Sequence, residues 1–332
     1  MSLPPITVLT EADLRSCVGM DEESLQAVEQ GFTKLAQGMA AVPPIMMIPV
    51  TDRNGEVDVK SAYVEGLESF AVKIASGFFD NPKHGLPSGS GMMVVISAET
   101  GFPQAVLLDN GYLTDVRTAL AGAIAAKYLA RKVIDSVGVV GAGTQGRCQA
   151  RALQLVRDFN RVLAYDRDPE VAAVYSREMK KELGVDVAVA SDPGMVVRDT
   201  ELVTTATPSK TPYVQPEWLS AGQHMTAMGS DSEEKQELDP RVFERADRIV
   251  CDRKSQCFRL GELHHARDAG ILDEDSDITE LGELTAGRKQ GRRAESEITV
   301  CDLTGVGVQD TAIALLAYRK ARERGLGMTV NV

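Results

Sequence analysis

The spacing of apolar positions changes near residue 119, and the change separates two kinds of structure. Before it, residues 21–37 carry Leu25, Val28, Phe32 and Leu35 at intervals of three and four, as on an amphipathic helix. Residues 57–64 and 70–76 follow as strands joined by a short Gly-containing connection at 65–69, which predicts a hairpin. Residues 92–97 and 104–109 predict a second strand pair around Thr100-Gly101. Two successive pairs imply an antiparallel, partly covered sheet.

After residue 119 strands and helices alternate. Strands are predicted over 136–140, 162–165, 185–189, 202–205, 224–227, 248–250 and 298–302. Helices over 145–156 and 169–183 separate the first three, a pattern that implies a parallel, doubly wound sheet. Residues 276–293, polar and Gly-containing, predict a surface loop. Residues 308–324 predict a helix with Ile313, Leu316 and Ala317 on one face, returning to the first domain. The expected class is α/β. A Rossmann domain would span 120–305, and a discontinuous α+β substrate-binding and dimerisation domain would span 1–119 and 306–332.

A length of 332 residues agrees with two domains. Thirty-six basic against 48 acidic residues leave a net charge of −12, which repels phosphate backbones and excludes nucleic acid as a partner class. A local cationic pocket remains compatible with that total. No apolar run approaches the roughly 20 residues that span a bilayer, and the opening Met1-Ser2-Leu3-Pro4-Pro5 does not read as a secretory signal. Five scattered cysteines fit a reducing compartment, so a cytoplasmic location without membrane association is expected. Cys251 and Cys257, with His264 and His265, match no common zinc spacing, and no metal is expected.

The most specific motif is Gly141-Ala142-Gly143-Thr144-Gln145-Gly146, a G-x-G-x-x-G turn that follows an apolar strand and opens a helix. Its first glycine permits the tight turn, its second the approach of a pyrophosphate, and its third close helix–strand packing. The helix end, including the backbone at Thr144 and Gln145, aims N–H groups at the phosphates. Asp166 ends the next strand about 20 residues beyond Gly146, where a carboxylate receives the ribose 2′-hydroxyl. That charge disfavours a 2′-phosphate, so NAD is expected over NADP, with Arg167 leaving some NADP tolerance. Thr205 and Thr207, ending the fourth strand, fall where such sheets line the cofactor crevice.

On the substrate side, Thr114 reads as an N-cap, which places Arg117 in the first helical turn against the macrodipole. An arginine there serves either to dock a carboxylate with its planar fork or to pair on the surface with Asp115 or another acid. Period two puts Phe70, Val72 and Ile74 on one strand face and Lys73 on the other. Lys73 would either line a cleft or lie along the surface as a snorkelling side chain. Lys60 is similar, with Asp58 on its face as a neutralising partner. Asp231 follows an apolar strand near a carboxyl end of the sheet, where a carboxylate exchanges protons with a substrate nitrogen or stands solvated in a loop. His84, His224, His264 and His265 read as structural or exposed.

Together these segments resemble the ornithine cyclodeaminase/μ-crystallin family over nearly the whole chain. The resemblance rests on Lys73 in its strand, Thr114-Asp115-Val116-Arg117-Thr118-Ala119, the glycine turn, Gly229-Ser230-Asp231, Glu280-Leu281-Gly282-Glu283 with Gly287, and Thr304-Gly305-Val306-Gly307-Val308-Gln309-Asp310. It implies that Lys73 and Arg117 hold a substrate α-carboxylate and that Asp231 is the acid/base near the amine. It also implies a homodimer and hydride transfer between nicotinamide and C2 of a small α-amino or α-imino acid. Cyclising members of the family usually carry an arginine where this chain has apolar Pro43-Pro44-Ile45-Met46-Met47, which counts against ornithine. Segments 56–60, 80–88 and 251–265 are similar to the ectoine-utilisation branch and its iminosuccinate-reducing relatives. There, Lys60 or His84 would meet a second carboxylate. Cyclodeamination of ornithine or lysine, and non-catalytic binding of a dinucleotide with a hormone-like ligand, are the rival expectations.

Overall fold

The computed structural model describes residues 3–331. The chain opens with strand β1 (Ile6–Thr10), helices α1 (Glu11–Cys17) and α2 (Glu22–Ala36), and strands β2 (Ala40–Ala41) and β3 (Met46–Val50). Strands β4 (Gly55–Val64), β5 (Ser69–Phe78), β6 (Gly89–Ser97) and β7 (Pro103–Leu108) lead into helix α3 (Tyr112–Leu129). Next come β8 (Ser136–Val140), α4 (Thr144–Leu153), β9 (Arg161–Tyr165), α5 (Pro169–Leu183), β10 (Asp186–Val189), α6 (Pro193–Arg198), β11 (Leu202–Thr205) and β12 (His224–Ala227). Then follow α7 (Val242–Arg245), β13 (Arg248–Cys251), α8 (Lys254–Leu260), α9 (Glu262–Asp268), β14 (Ile278–Glu280) and α10 (Leu281–Thr285). The chain closes with β15 (Thr299–Asp302), α11 (Gly307–Glu323) and β16 (Met328–Val330).

Two compact units result. One comprises Met1–Arg117 with Val306–Val332, the other Thr118–Gly305.

In the first unit the strands run in the order β16-β1-β7-β6-β5-β4-β2, with β3 also paired to β4. The pairs from β4 to β7 are antiparallel, and β1 joins β7 in parallel. Helices α2 and α11 pack together, and α11 lies on β4 and β5. Phe32, Leu25 and Val28 of α2 are buried, as the apolar spacing requires. Helix and sheet meet so closely that a Cβ on Gly307 would lie 2.2 Å from the Ser61 carbonyl oxygen. The opposite face of the sheet is apolar but open: Met46, Ile48, Tyr63, Ile74 and Met92 are all exposed.

In the second unit eight strands lie in the order β10-β9-β8-β11-β12-β15-β13-β14, every pairing parallel. This is the doubly wound Rossmann arrangement, with the order reversing between β8 and β11. Buried Val137, Val139, Val162 and Ala164 meet Tyr175 and Met179 of α5. On the β12–β13 side, Met225, Val300 and Phe258 form a second core.

Two local expectations are corrected. Residues 276–293 are not a plain surface loop, because they contain β14 and α10. Ile278, Leu281 and Leu284 are buried within otherwise polar sequence, and β14 pairs with β13. Thr114 is not the N-cap of its helix, because α3 begins earlier, at Tyr112. Asp109 serves that end instead, its Oδ2 accepting the Leu113 N–H at 2.9 Å. Arg117 therefore lies in the second turn, and the macrodipole argument for it lapses.

Candidate functional site

Within the first unit, Lys73 and Arg117 converge on an acid that sequence reasoning did not single out. Asp310 lies in the first turn of α11, where the helix end favours a carboxylate. Its Oδ1 stands 2.9 Å from Arg117 Nε and 3.5 Å from Lys73 Nζ. The Arg117 guanidinium also donates to Gln309 Oε1 at 2.8 Å. Lys73 is 2% exposed, Arg117 4% and Asp310 0%, so neither the snorkelling lysine nor the surface arginine describes this structure. Asp310 and Gln309 stood inside the Thr304–Asp310 motif. No local signal linked them to residues some 200 positions earlier.

Lys60 joins this cluster. The β4–β5 register sets Lys60 directly opposite Lys73, and Lys60 is 4% exposed. Burial, then the charges of Arg117 and Lys60, push the Lys73 ammonium down to about 7, against the pull of Asp310 and Asp58. Lys60, Lys73 and Arg117 gather there with Asp58 and Asp310, and with Asp109, whose carboxyl is pushed up by burial and drawn back down by Lys73. With Asp109 protonated, an anion fits there. His84 is not part of the group. It is exposed in the short 3-10 helix Asn81–His84 between β5 and β6.

The second unit holds the glycine turn. Gly141 has φ of +100°, a left-handed conformation that favours glycine, and a Cβ there would meet the Ala206 carbonyl oxygen at 2.5 Å. A Cβ on Gly146 would approach the Gly141 oxygen to 2.0 Å, while one on Gly143 would meet nothing within 4 Å. The turn is thus closed on the protein side and open at Gly143, the cradle a pyrophosphate needs. Gly143 caps α4 without a side-chain bond, which leaves the helix end at Thr144 and Gln145 for a phosphate. Asp166 at the end of β9 leans onto the turn, its Oδ2 accepting the Ala142 N–H at 2.9 Å. Its Oδ1 accepts the Asp168 N–H at 3.0 Å, and Arg167 beside it is exposed. These residues fit a dinucleotide.

Thr205 ends β11 and Thr207 follows it, but their hydroxyls turn to a buried acid, Glu237, at 2.7 Å each. Asp231 follows β12 and pairs with Lys235, Nζ to Oδ1 2.7 Å. Lys235 carried no pattern in the sequence beyond its i,i+4 spacing from Asp231. His224 is buried and held near pKa 3 by burial and by Arg292. It bonds to Thr299 and Thr226, as a structural histidine does. All five cysteines are buried and unbridged. Among the described residues no cluster of three His, Cys, Asp or Glu is placed to hold a metal. Among them, too, no helix is long and apolar enough to cross a membrane.

Comparison with known proteins gives a consistent picture. A family model described as "Ornithine cyclodeaminase/mu-crystallin family" matches residues 6–325. An uncharacterised cyclodeaminase of Sinorhizobium fredii is 50% identical over 98% of both chains. Iminosuccinate reductase of Paracoccus denitrificans is 32% identical over 94% of this chain and 95% of its own. The structure of Thermococcus litoralis Δ1-pyrroline-2-carboxylate reductase, in complex with NADH and L-proline, superposes with a TM-score of 0.94 at 32% identity. That match covers 98% of this chain and all of the other.

Proposed function

The chain belongs to the ornithine cyclodeaminase/mu-crystallin family, and on that premise we propose that it is an NAD(H)-dependent reductase of a small α-imino acid, with iminosuccinate as preferred substrate and aspartate as product. The buried cation cluster carries the reading. Arg117 and Lys73 hold the C1 carboxylate, the first with its planar fork and the second as a point charge. Lys60 supplies a third cation, which suits a second carboxylate and repels the terminal ammonium of ornithine or lysine. His84, exposed in its own turn, lies outside this clamp.

The turn at Gly141, Gly143 and Gly146 holds the pyrophosphate and Asp166 the adenosine ribose, so NAD is preferred over NADP. Bound NADH supplies the hydride that adds to C2 of the imine. Asp231 is the acid of this reading, keeping the imine nitrogen protonated, directly or through water, because an iminium is the better hydride acceptor. Lys235 holds that carboxylate in place. The protein thereby contributes position and electrostatics. A homodimer is part of the proposal: the apolar sheet face bearing Met46, Ile48, Tyr63, Ile74 and Met92 is what a second copy would cover.

The test is NADH absorbance on mixing with oxaloacetate plus ammonia, pyruvate plus ammonia, and ornithine. Stoichiometric loss of NADH with oxaloacetate plus ammonia is expected. Ammonia release from ornithine with no net cofactor consumption would replace this reading with cyclodeamination.

A further inference from the structure

Glu237 accepts five hydrogen bonds within the second unit, and nothing above uses it. It is fully buried. Its Oε1 accepts the Thr207 N–H at 2.7 Å, the Thr207 hydroxyl at 2.7 Å and the Tyr213 hydroxyl at 2.8 Å. Its Oε2 accepts the Thr205 hydroxyl at 2.7 Å and the Gly229 N–H at 2.8 Å. Two of these donors belong to backbone and cannot reverse. One carboxylate therefore ties the segment leaving β11 to the segment leaving β12. The two segments already touch: a Cβ on Gly229 would fall 2.2 Å from the Thr207 carbonyl oxygen and 2.5 Å from Glu237 Cδ. Glu237 is itself fixed, its N–H donating to the buried Glu262 carboxylate at 2.7 Å. Two residues before it, Lys235 grips Asp231.

The position of this clasp in the sheet gives it a function. Strand order reverses between β8 and β11, and a dinucleotide lies across such a reversal. Asp166 marks the adenosine side, directly after β9. The nicotinamide half therefore falls on the side of β11 and β12, over the two segments that Glu237 joins. We propose that Glu237 is a positioning residue for the nicotinamide half of the cofactor and for Asp231, acting through the backbone at Thr207 and Gly229 rather than by touching either reactant. This assignment rests on the nucleotide reading given above.

Glu237→Gln brings an amide NH2 into a pocket of five donors and tests the claim. In the full-length protein, NADH affinity by fluorescence should fall about tenfold, the scale of losing hydrogen bonds to a buried charge. Affinity for ADP-ribose, which lacks nicotinamide, should stay within about twofold. The pH profile of kcat should also move, because Asp231 loses its fixed position. Equal losses for NADH and ADP-ribose, or no loss for either with an unchanged pH profile, overturn the proposal. Should Glu237→Gln not fold, Tyr213→Phe removes one donor and keeps the carboxylate. It should weaken NADH about threefold and leave ADP-ribose unchanged, at the lower end of a single hydrogen bond. An unchanged NADH affinity in that variant overturns the proposal as well. Wild-type protein that binds neither nucleotide removes the nucleotide reading itself, and the positioning role with it.

Discussion

Lys60 and Lys73 face each other directly across β4 and β5, both buried. Like charges in opposed register destabilise a sheet, so their retention needs a compensating acid or a lost proton. The structure has both. Asp310 and Asp58 draw the charge back, and Lys73 is pushed down to about 7, mainly by burial.

That position has a sign in both stability and activity. Lys73 titrates lower in the folded than in the unfolded chain, from 10.5 to about 7. Below pH 7 it is charged in both states, and folding carries a fixed penalty. Between pH 7 and 10.5 only the unfolded chain holds the proton, so the penalty is relieved as pH rises. The thermal midpoint of wild type should therefore climb relative to Lys73→Met from pH 6 to pH 9. Imine reduction should fall over the same range, as the ammonium that holds the substrate is lost. A Tm difference independent of pH would refute the assignment.

Asp310 bridges Arg117 and Lys73, and its removal should be felt twice. Asp310→Ala leaves two buried cations without their acid and should cost about 3–5 kcal/mol in denaturant unfolding. Asp310 also raises the Lys73 value, so the alkaline limb of activity should shift toward lower pH in any folded fraction. A shift to higher pH would contradict the pairing.

Arg117 tests the carboxylate clamp directly. Arg117→Ala should raise KM for the imino acid about 10- to 100-fold through loss of a charge-assisted bond, with NADH affinity unaffected. Arg117→Lys should recover little, because a point charge cannot reproduce the fork that now spans Asp310 and Gln309. Unaltered KM in both variants would remove Arg117 from the site.

The parts of this architecture that are local were legible in sequence, and the parts that depend on distant contacts were not. The glycine turn and Asp166 lie within one βαβ unit, so spacing alone located them. Alternation separated the Lys73 face of β5 from that of Phe70, Val72 and Ile74 but did not say which was covered. The structure buries the lysine face beneath α11 and leaves Ile74 exposed, the reverse of what hydrophobicity alone suggests. Asp310 could not be matched to Arg117 because 192 residues separate Arg117 from neighbouring Gln309. The capping of α3 by Asp109 is not evident in sequence, because Thr114 offers a capping type nearer the run of helix formers. Glu237 carried no motif at all; its role follows from five donors that come from three separate segments.

Asp166 should govern the choice of nucleotide. Its carboxylate rests on the Ala142 N–H at the turn, where a 2′-phosphate would meet like charge. Asp166→Ser should weaken NADH about tenfold and strengthen NADPH, with exposed Arg167 free to turn toward the added phosphate. Fluorescence titration of both nucleotides reads the ratio directly. A variant that keeps the wild-type preference would place the discriminating group elsewhere.

Anion binding should itself take up a proton. A carboxylate arriving between Arg117 and Lys73 favours the ammonium form, so the Lys73 value must rise above about 7 when the site fills. Succinate offers two carboxylates and no titrating nitrogen, and both its groups are ionised at pH 8. In the presence of NAD+, calorimetric titration at pH 8 in phosphate and in Tris should give binding heats that differ by a substantial fraction of one proton. The difference should vanish near pH 6, where Lys73 already carries its proton, and in Lys73→Met at either pH. Affinity for succinate should weaken as pH rises above 7, because each complex must then draw its proton from solvent. Identical heats in the two buffers at pH 8 would mean that Lys73 does not meet the anion.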